Sequence, residues 1–183
     1  MLFDEGVKWR LLRYFFKNAG GEHYVKQLAK TAGVSAGSAS SACKSLEGEG
    51  FLASRKHGNA LFYSLNNDNP AVLRLKSAWF LAEMGPLERR WKDAEFQSVA
   101  LYGSYASGEF VEKSDIDLLF ITNVKKSKAL DVAMQVQQHF KARVSPTVLK
   151  AGEWMEMARG KERFYMEVVA NHVLLHGTSV VVG

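Results

Sequence analysis

Apolar residues recur along the first fifty positions with the period of helices rather than strands. Over residues 4–18, Val7, Leu11, Tyr14 and Phe15 share one face while Lys8, Arg13 and Lys17 stand elsewhere, which predicts an amphipathic helix. Asp4 and Glu5 suit its N-terminus, and residues 18–21 end it. Residues 24–32 predict a second helix closed by Gly33. A third covers residues 36–49 with Ser35 as N-cap. Its narrow inward stripe is Ala39, Ala42 or Cys43, and Leu46; its outward face is Ser38, Ser41, Lys44 and Ser45. The period then shortens. Residues 51–55 and Ala60–Leu65 are β-prone runs around Lys56-His57-Gly58-Asn59, the tip of a hairpin.

Pro70 suits the first turn of a further helix, Pro70–Met84, with Val72, Leu75, Trp79 and Phe80 on its apolar face and Gly85-Pro86 at its end. This helix reads as a connector. Its two aromatics predict packing on a neighbour, and a second copy of the chain, a homodimer, is the expected one. Residues 87–95 form a short helical stretch with Arg89, Arg90 and Lys92. Beyond it come an apolar-rich strand over residues 96–102 and a fully apolar one that begins near Asp115 and continues through Ile121. A helix over 127–141 places Leu130, Ala133, Met134 and Phe140 inward. Residues 143–149 form a third strand, which Pro146 confines to an edge or a bulge. A last helix covers residues 162–172, and the run Val173-Leu174-Leu175 reads as a short strand after it.

Charge changes this picture more than composition does. The net charge of +5 is uneven: +3 over residues 1–68, +2 over 69–93 and zero over 94–183. An N-terminal part that meets a polyanion is expected, with DNA the partner. A single cysteine, Cys43, excludes a disulfide framework and suits a reducing cytoplasm. No signal-peptide pattern opens the sequence, and no apolar run approaches the roughly 20 residues of a membrane span, so no membrane partner is expected. His172 and His176 would share a face on a helix, but no Glu follows the first and no third ligand is near, so zinc is not expected.

The chemistry-bearing stretch is residues 99–121. Its first strand ends at Gly103, where backbone approaches a ligand without a Cβ in the way. Ser104 follows at the start of a helical turn, where free N–H groups and the hydroxyl hold an anion. Asp115 and Asp117, at i and i+2 of a strand, project from one face toward that turn. A phosphate cradle beside a carboxylate pair suits divalent-metal chemistry on a nucleoside triphosphate.

Gly103-Ser104-x-Ala106-x-Gly108 followed by Ser114-Asp115-Ile116-Asp117-Leu118 resembles the signature of the polymerase-β-type nucleotidyltransferase superfamily, and within it the minimal nucleotidyltransferase branch. Three helices and a hairpin in this order resemble the winged-helix DNA-binding domain. The two resemblances imply an α/β (α+β) chain: a winged helix over residues 1–68, a connector over 69–93, and a small nucleotidyltransferase-fold domain with a mixed sheet over 94–183. They imply Mg²⁺ or Mn²⁺ held by Asp115 and Asp117, a nucleoside triphosphate, ATP foremost, held by Gly103 and Ser104, and DNA held by Ser38, Ser41, Lys44, Ser45, Arg55, Lys56 and His57. The minimal branch often modifies a helical partner protein, as in toxin–antitoxin pairs, so a protein acceptor is at least as expected as a small molecule.

Active members of the superfamily carry a third carboxylate on the neighbouring strand. Here that strand offers Ser145 and Thr147. Glu109 and Glu153 are the remaining candidates to complete the site. Without either, the expectation shifts to a transcriptional regulator whose nucleotidyltransferase-fold domain senses a nucleotide or mediates assembly.

Overall fold

Helix α1, Val7–Lys17, opens the described residues, 6–182 of a computed structural model. The expected acidic start, Asp4 and Glu5, lies outside them. The chain divides into two units, Met1–Lys76 and Ser77–Gly183.

In the first unit α1 is followed by β1 His23–Tyr24, α2 Val25–Ala32, α3 Ala36–Gly48, β2 Leu52–His57 and β3 Ala60–Leu65. The buried face of α1 is Leu11, Leu12, Phe15 and Phe16. That stripe is rotated from the expected one: Tyr14 is only half-buried, and its hydroxyl meets His23 Nδ1 at 3.1 Å and accepts from Gln27 Nε2 at 3.1 Å. The apolar weight of Leu12 and Phe16 turns the helix so that the phenol stays with polar partners. Helix α2 stops at Gly33, whose φ of 63° is left-handed, and Val34 N–H donates back to Ala29 O at 3.0 Å. Ser35 then caps α3 by accepting from Ser38 N–H at 3.1 Å. Ala39, Ala42, Cys43 and Leu46 are all buried, as their spacing predicts. Burial, with a smaller contribution from Glu47, pushes the Cys43 thiol up to about 11.

The sheet order is β1-β3-β2, and the hairpin register runs from Leu52↔Leu65 to His57↔Ala60. The turn is therefore Gly58-Asn59 alone; Lys56 and His57 belong to β2. Two residues of β1 give no readable strand pattern, and their pairing with Tyr63 and Phe62 is tertiary in origin. Three helices with a β wing make this unit a winged helix-turn-helix. Helix α4, Pro70–Met84, follows, and the division between units falls within it.

The second unit continues with a 3₁₀ turn Gly85–Leu87, α5 Glu88–Lys92, β4 Ser98–Tyr102, α6 Gly103–Ser107, β5 Ile116–Ile121, α7 Lys126–Phe140, β6 Val144–Leu149, α8 Ala151–Arg159, α9 Arg163–Ala170 and β7 His172–Gly177. Its sheet has the order β6-β5-β4-β7; β5 and β6 are parallel, joined through α7, and the other pairs are antiparallel. Ala100, Leu119 and Ile121 on one face pack with Trp154 of α8, Tyr165 and Val168 of α9, and Val180. Phe80 packs with Tyr105, Phe110 and Phe140 at centroid distances of 4.4, 5.9 and 4.7 Å.

The packing of α4 and α7 differs from the expected one. Trp79 and Phe80 are buried within the chain, so their apolarity requires no second copy. In α7 the buried residues are Ala129, Val132, Ala133 and Val136, while Leu130 and Met134 are 43% and 55% exposed. Small side chains at helical spacing let α7 close on its neighbours, and that outweighs the size of Leu130 and Met134. Helix α8 was not anticipated. His172 and His176 stand on β7, opposite Tyr102 and Val99, and not on a helix.

Gly177 closes the β7–β4 pairing. Its φ is 85°, and a Cβ there would lie 1.9 Å from Gln97 O. Gly177→Ala must displace backbone as well as strain φ, so a loss of about 2 kcal/mol or more is expected. Chemical denaturation of the two proteins measures it; equal midpoints would show that β7 yields without penalty.

Candidate active site

Strand pairing brings the sequence motifs together. Tyr102, the last residue of β4, pairs with Asp117 of β5, and the chain turns at once into α6 through Gly103. Gly103 has φ 66°, and a Cβ at that position would meet Asp117 Oδ2 at 2.4 Å. The position thus requires glycine twice, for backbone conformation and for room. Gly108 ends α6 with φ 85°, and Phe110 N–H returns to Ser104 O at 3.2 Å, which folds the loop back before Asp115. Tyr105 stacks on Phe110, with centroids 4.1 Å apart and planes at 5°, and fixes that loop from beneath.

Asp115 immediately precedes β5, which begins at Ile116 rather than at Asp115. Both carboxylates are half-buried. Desolvation, then the neighbouring Asp115 charge, raises the Asp117 carboxyl above its ordinary range. Folding therefore takes up a proton at Asp117 between its unfolded and folded pKa values. This contribution to stability is full below the unfolded value and is lost as pH rises through the folded one. A cation bound between the two carboxylates would offset that desolvation and repulsion. Two phenols, half-buried Tyr102 and buried Tyr105, register the same field: Tyr102 is raised by desolvation, against a lowering hydrogen bond from Thr147, and then by Asp117; Tyr105 is raised by desolvation and then by Asp115.

The position of the third carboxylate is neutral. Parallel pairing sets Ser145 opposite Asp117 and Thr147 opposite Leu119, so both hydroxyls stand on the Asp117 face, as strand alternation predicts. Thr147 Oγ1 lies 3.0 Å from the Tyr102 hydroxyl. Each glutamate candidate already has a hydrogen-bond partner. Glu153 accepts from Lys150 N–H at 2.6 Å and caps α8, and Glu109 accepts from Ser107 Oγ at 2.9 Å. Among the described residues no group of three His, Cys, Asp or Glu is placed to hold a metal ion. The donor set fits one divalent cation on Asp115 and Asp117; a second would lack a ligand.

Sequence reasoning missed Arg143. Its Nε lies 3.5 Å from Asp115 Oδ2, because residue 143 leads into β6 as residue 115 leads into β5. The parallel register is the signal that finds it. Tyr102 was also passed over; as the residue before Gly103 it had read only as a strand end.

The expected nucleic-acid residues all lie in the first unit. Ser38, Ser41 and Lys44 are exposed on α3 and Ser45 is half-buried. Together with Lys8, Gly37 and Ala42, the three serines line an open concavity of about 580 Å³. Arg55, Lys56 and His57 are exposed on β2, and Glu22 lies 3.9 Å from Arg55 and 3.5 Å from His57. Lys56 therefore carries the wing charge with the least local compensation among those pairs.

Residues 86–170 match the family model described as a nucleotidyltransferase domain. No curated protein shows significant similarity to the chain. Among solved structures, the homodimeric winged helix-turn-helix DNA-binding domain of a Mycobacterium bovis protein is 23% identical; the match covers 44% of this chain and 70% of that one, with a TM-score of 0.37. A toxin–antitoxin complex named MntA-HpeT is 15% identical over 50% of this chain and 70% of that one, with a TM-score of 0.36. A complex of a tri-AMPylated Shewanella oneidensis HEPN toxin with its MNT antitoxin is 14% identical over 54% and 72%, with a TM-score of 0.34. The motif geometry and the family match agree: residues 86–170 carry a nucleotidyltransferase domain, in a chain that begins with a winged helix-turn-helix.

Proposed function

We propose that the second unit binds a nucleoside triphosphate, ATP foremost, with Mg²⁺ or Mn²⁺, and transfers its nucleoside monophosphate to a hydroxyl, while the first unit binds duplex DNA. The observation that carries the catalytic half is the bare Gly103 backbone set against the Asp117 carboxylate. Asp115 and Asp117 would hold the cation, and Gly103 and Ser104 the phosphates. The cation, when bound, neutralises the triphosphate and withdraws charge from its phosphoryl oxygens. In the transfer, the acceptor oxygen bonds to the α-phosphorus and the bond from that phosphorus to the α–β bridging oxygen breaks. Pyrophosphate leaves, and the hydroxyl proton passes to a base or to solvent. Where a third carboxylate would take that proton, this chain has Ser145, Thr147 and the Tyr102 hydroxyl, so proton removal is the slow step.

That same substitution supports a second reading, in which the domain binds the nucleotide as a signal for the DNA-binding unit and does not turn it over. The two readings separate on Ser145→Asp, which sets a third carboxylate opposite Asp117. If a missing base limits transfer, the variant gains about 10²-fold or more in nucleotide transfer, read with labelled triphosphates. No transfer by either protein, with binding intact, leaves the sensor reading.

Asp115→Asn with Asp117→Asn is expected to abolish Mg²⁺-dependent triphosphate binding in calorimetry. In the absence of divalent cation it should unfold no earlier than wild type, because it removes two like charges. Retained affinity would remove the proposed site.

For the DNA half, the exposed outer face of α3 and the β2 cations support contact through Ser38, Ser41, Lys44, Ser45, Arg55, Lys56 and His57. Duplex affinity should fall steeply with salt. Replacing Arg55 and Lys56 by Ala should reduce the log–log slope by about two, one per lost phosphate contact. A slope unchanged by the double substitution would take the wing off the DNA.

A further inference from the structure

Beside Asp115, on the β6 side, lies an open pocket of about 450 Å³ lined by Gln137, Gln138, Lys141, Ala142 and Arg143. Its chemistry is one-sided. Lys141 and Arg143 are cations, and no carboxylate belongs to the lining. Gln137 spends its Oε1 on Val144 N–H at 3.3 Å, which leaves its amide N–H groups to offer. Arg143 belongs both to this pocket and to the carboxylate site, through its 3.5 Å approach to Asp115 Oδ2. Its side chain is 80% exposed, so the pair is weakly held and readily exchanged for another anion.

Position in the sheet says what the pocket serves. Gly103 and Ser104 follow β4, the carboxylates stand on β5, and the pocket opens at the start of β6, so the order β6-β5-β4 puts the two on opposite sides of the carboxylate pair. In-line transfer brings the acceptor in from the side away from the leaving pyrophosphate. We propose that this pocket is an anion subsite that takes a phosphate group of the acceptor, with Arg143 exchanging Asp115 for that phosphate. The assignment rests on the nucleotide site proposed above. It makes the acceptor a phosphate-bearing molecule whose hydroxyl is delivered to the carboxylate pair.

The test uses the full chain, inorganic phosphate as probe, and a non-hydrolysable ATP analogue with Mg²⁺ as a separate arm. Arg143→Ala is combined with Lys141→Asn, which suits the left-handed backbone at residue 141 (φ 52°). Wild type should bind phosphate saturably, with the analogue already in place, and the double variant should lose about tenfold or more of that affinity. Its affinity for the Mg²⁺ analogue should change far less. Phosphate that binds neither protein, or both equally, overturns the subsite. Competition between phosphate and the analogue overturns the acceptor assignment, since the pocket would then take the nucleotide's own phosphate. If wild type binds phosphate as expected but not the analogue, the nucleotide reading fails and the anion subsite stands.

Discussion

The approach of Gly103 to the Asp117 carboxylate is the constraint on which the second unit turns. It requires a residue without Cβ in a left-handed conformation at the end of β4, and it requires β4 and β5 to pair so that Tyr102 meets Asp117. Once that register is set, the rest follows by alternation. Leu119 and Ile121 go under α8 and α9, Asp117 goes to the solvent end of the same face, and Ser145 and Thr147 of β6 join it. A one-residue slip of β5 would turn Asp117 to the face of Ile116, Leu118 and Phe120, which is wholly buried. The hydrophobic core and the chemistry are thus alternative readings of one register.

The site keeps its charge at the expense of stability. Asp117 is desolvated beside Asp115, and the arginine that approaches Asp115 is largely exposed. A protein selected for stability alone would place amides there. What the arrangement retains is a strong, local attraction for positive charge at the end of a rigid sheet.

Much of this was legible in the sequence because it depends on local chemistry. Gly103, Ser104, Asp115 and Asp117 were placed by strand alternation and by the apolar run Leu118–Ile121, and the N-cap Ser35 and C-cap Gly33 marked the turn before α3 by their own conformational preferences. What escaped depended on tertiary partners. Arg143 becomes a neighbour of Asp115 only through parallel pairing across α7, some 28 residues on. The inward face of α7 was misjudged because hydrophobic weight favoured Leu130 and Met134, while close packing favoured Ala129 and Ala133. Trp79 and Phe80 were assigned to a partner chain because the cluster of Phe110 and Phe140 that receives Phe80 is distant in sequence.

The outer strand of the sheet carries a final consequence. Ile116 N–H donates to Arg143 O and Thr122 N–H to Leu149 O, which turns the odd-numbered residues of β6 toward β5 and leaves Val144, Pro146 and Val148 facing away. Pro146 has no N–H, and Val144 gives its own to Gln137. Of three outward positions, only Val148 still offers a donor to an incoming strand. Edge-to-edge polymerisation needs a continuous ladder, and this edge presents a single rung. At β6 the sheet is therefore guarded against a further strand by its own sequence, with a proline and a side-chain amide where free donors would otherwise stand.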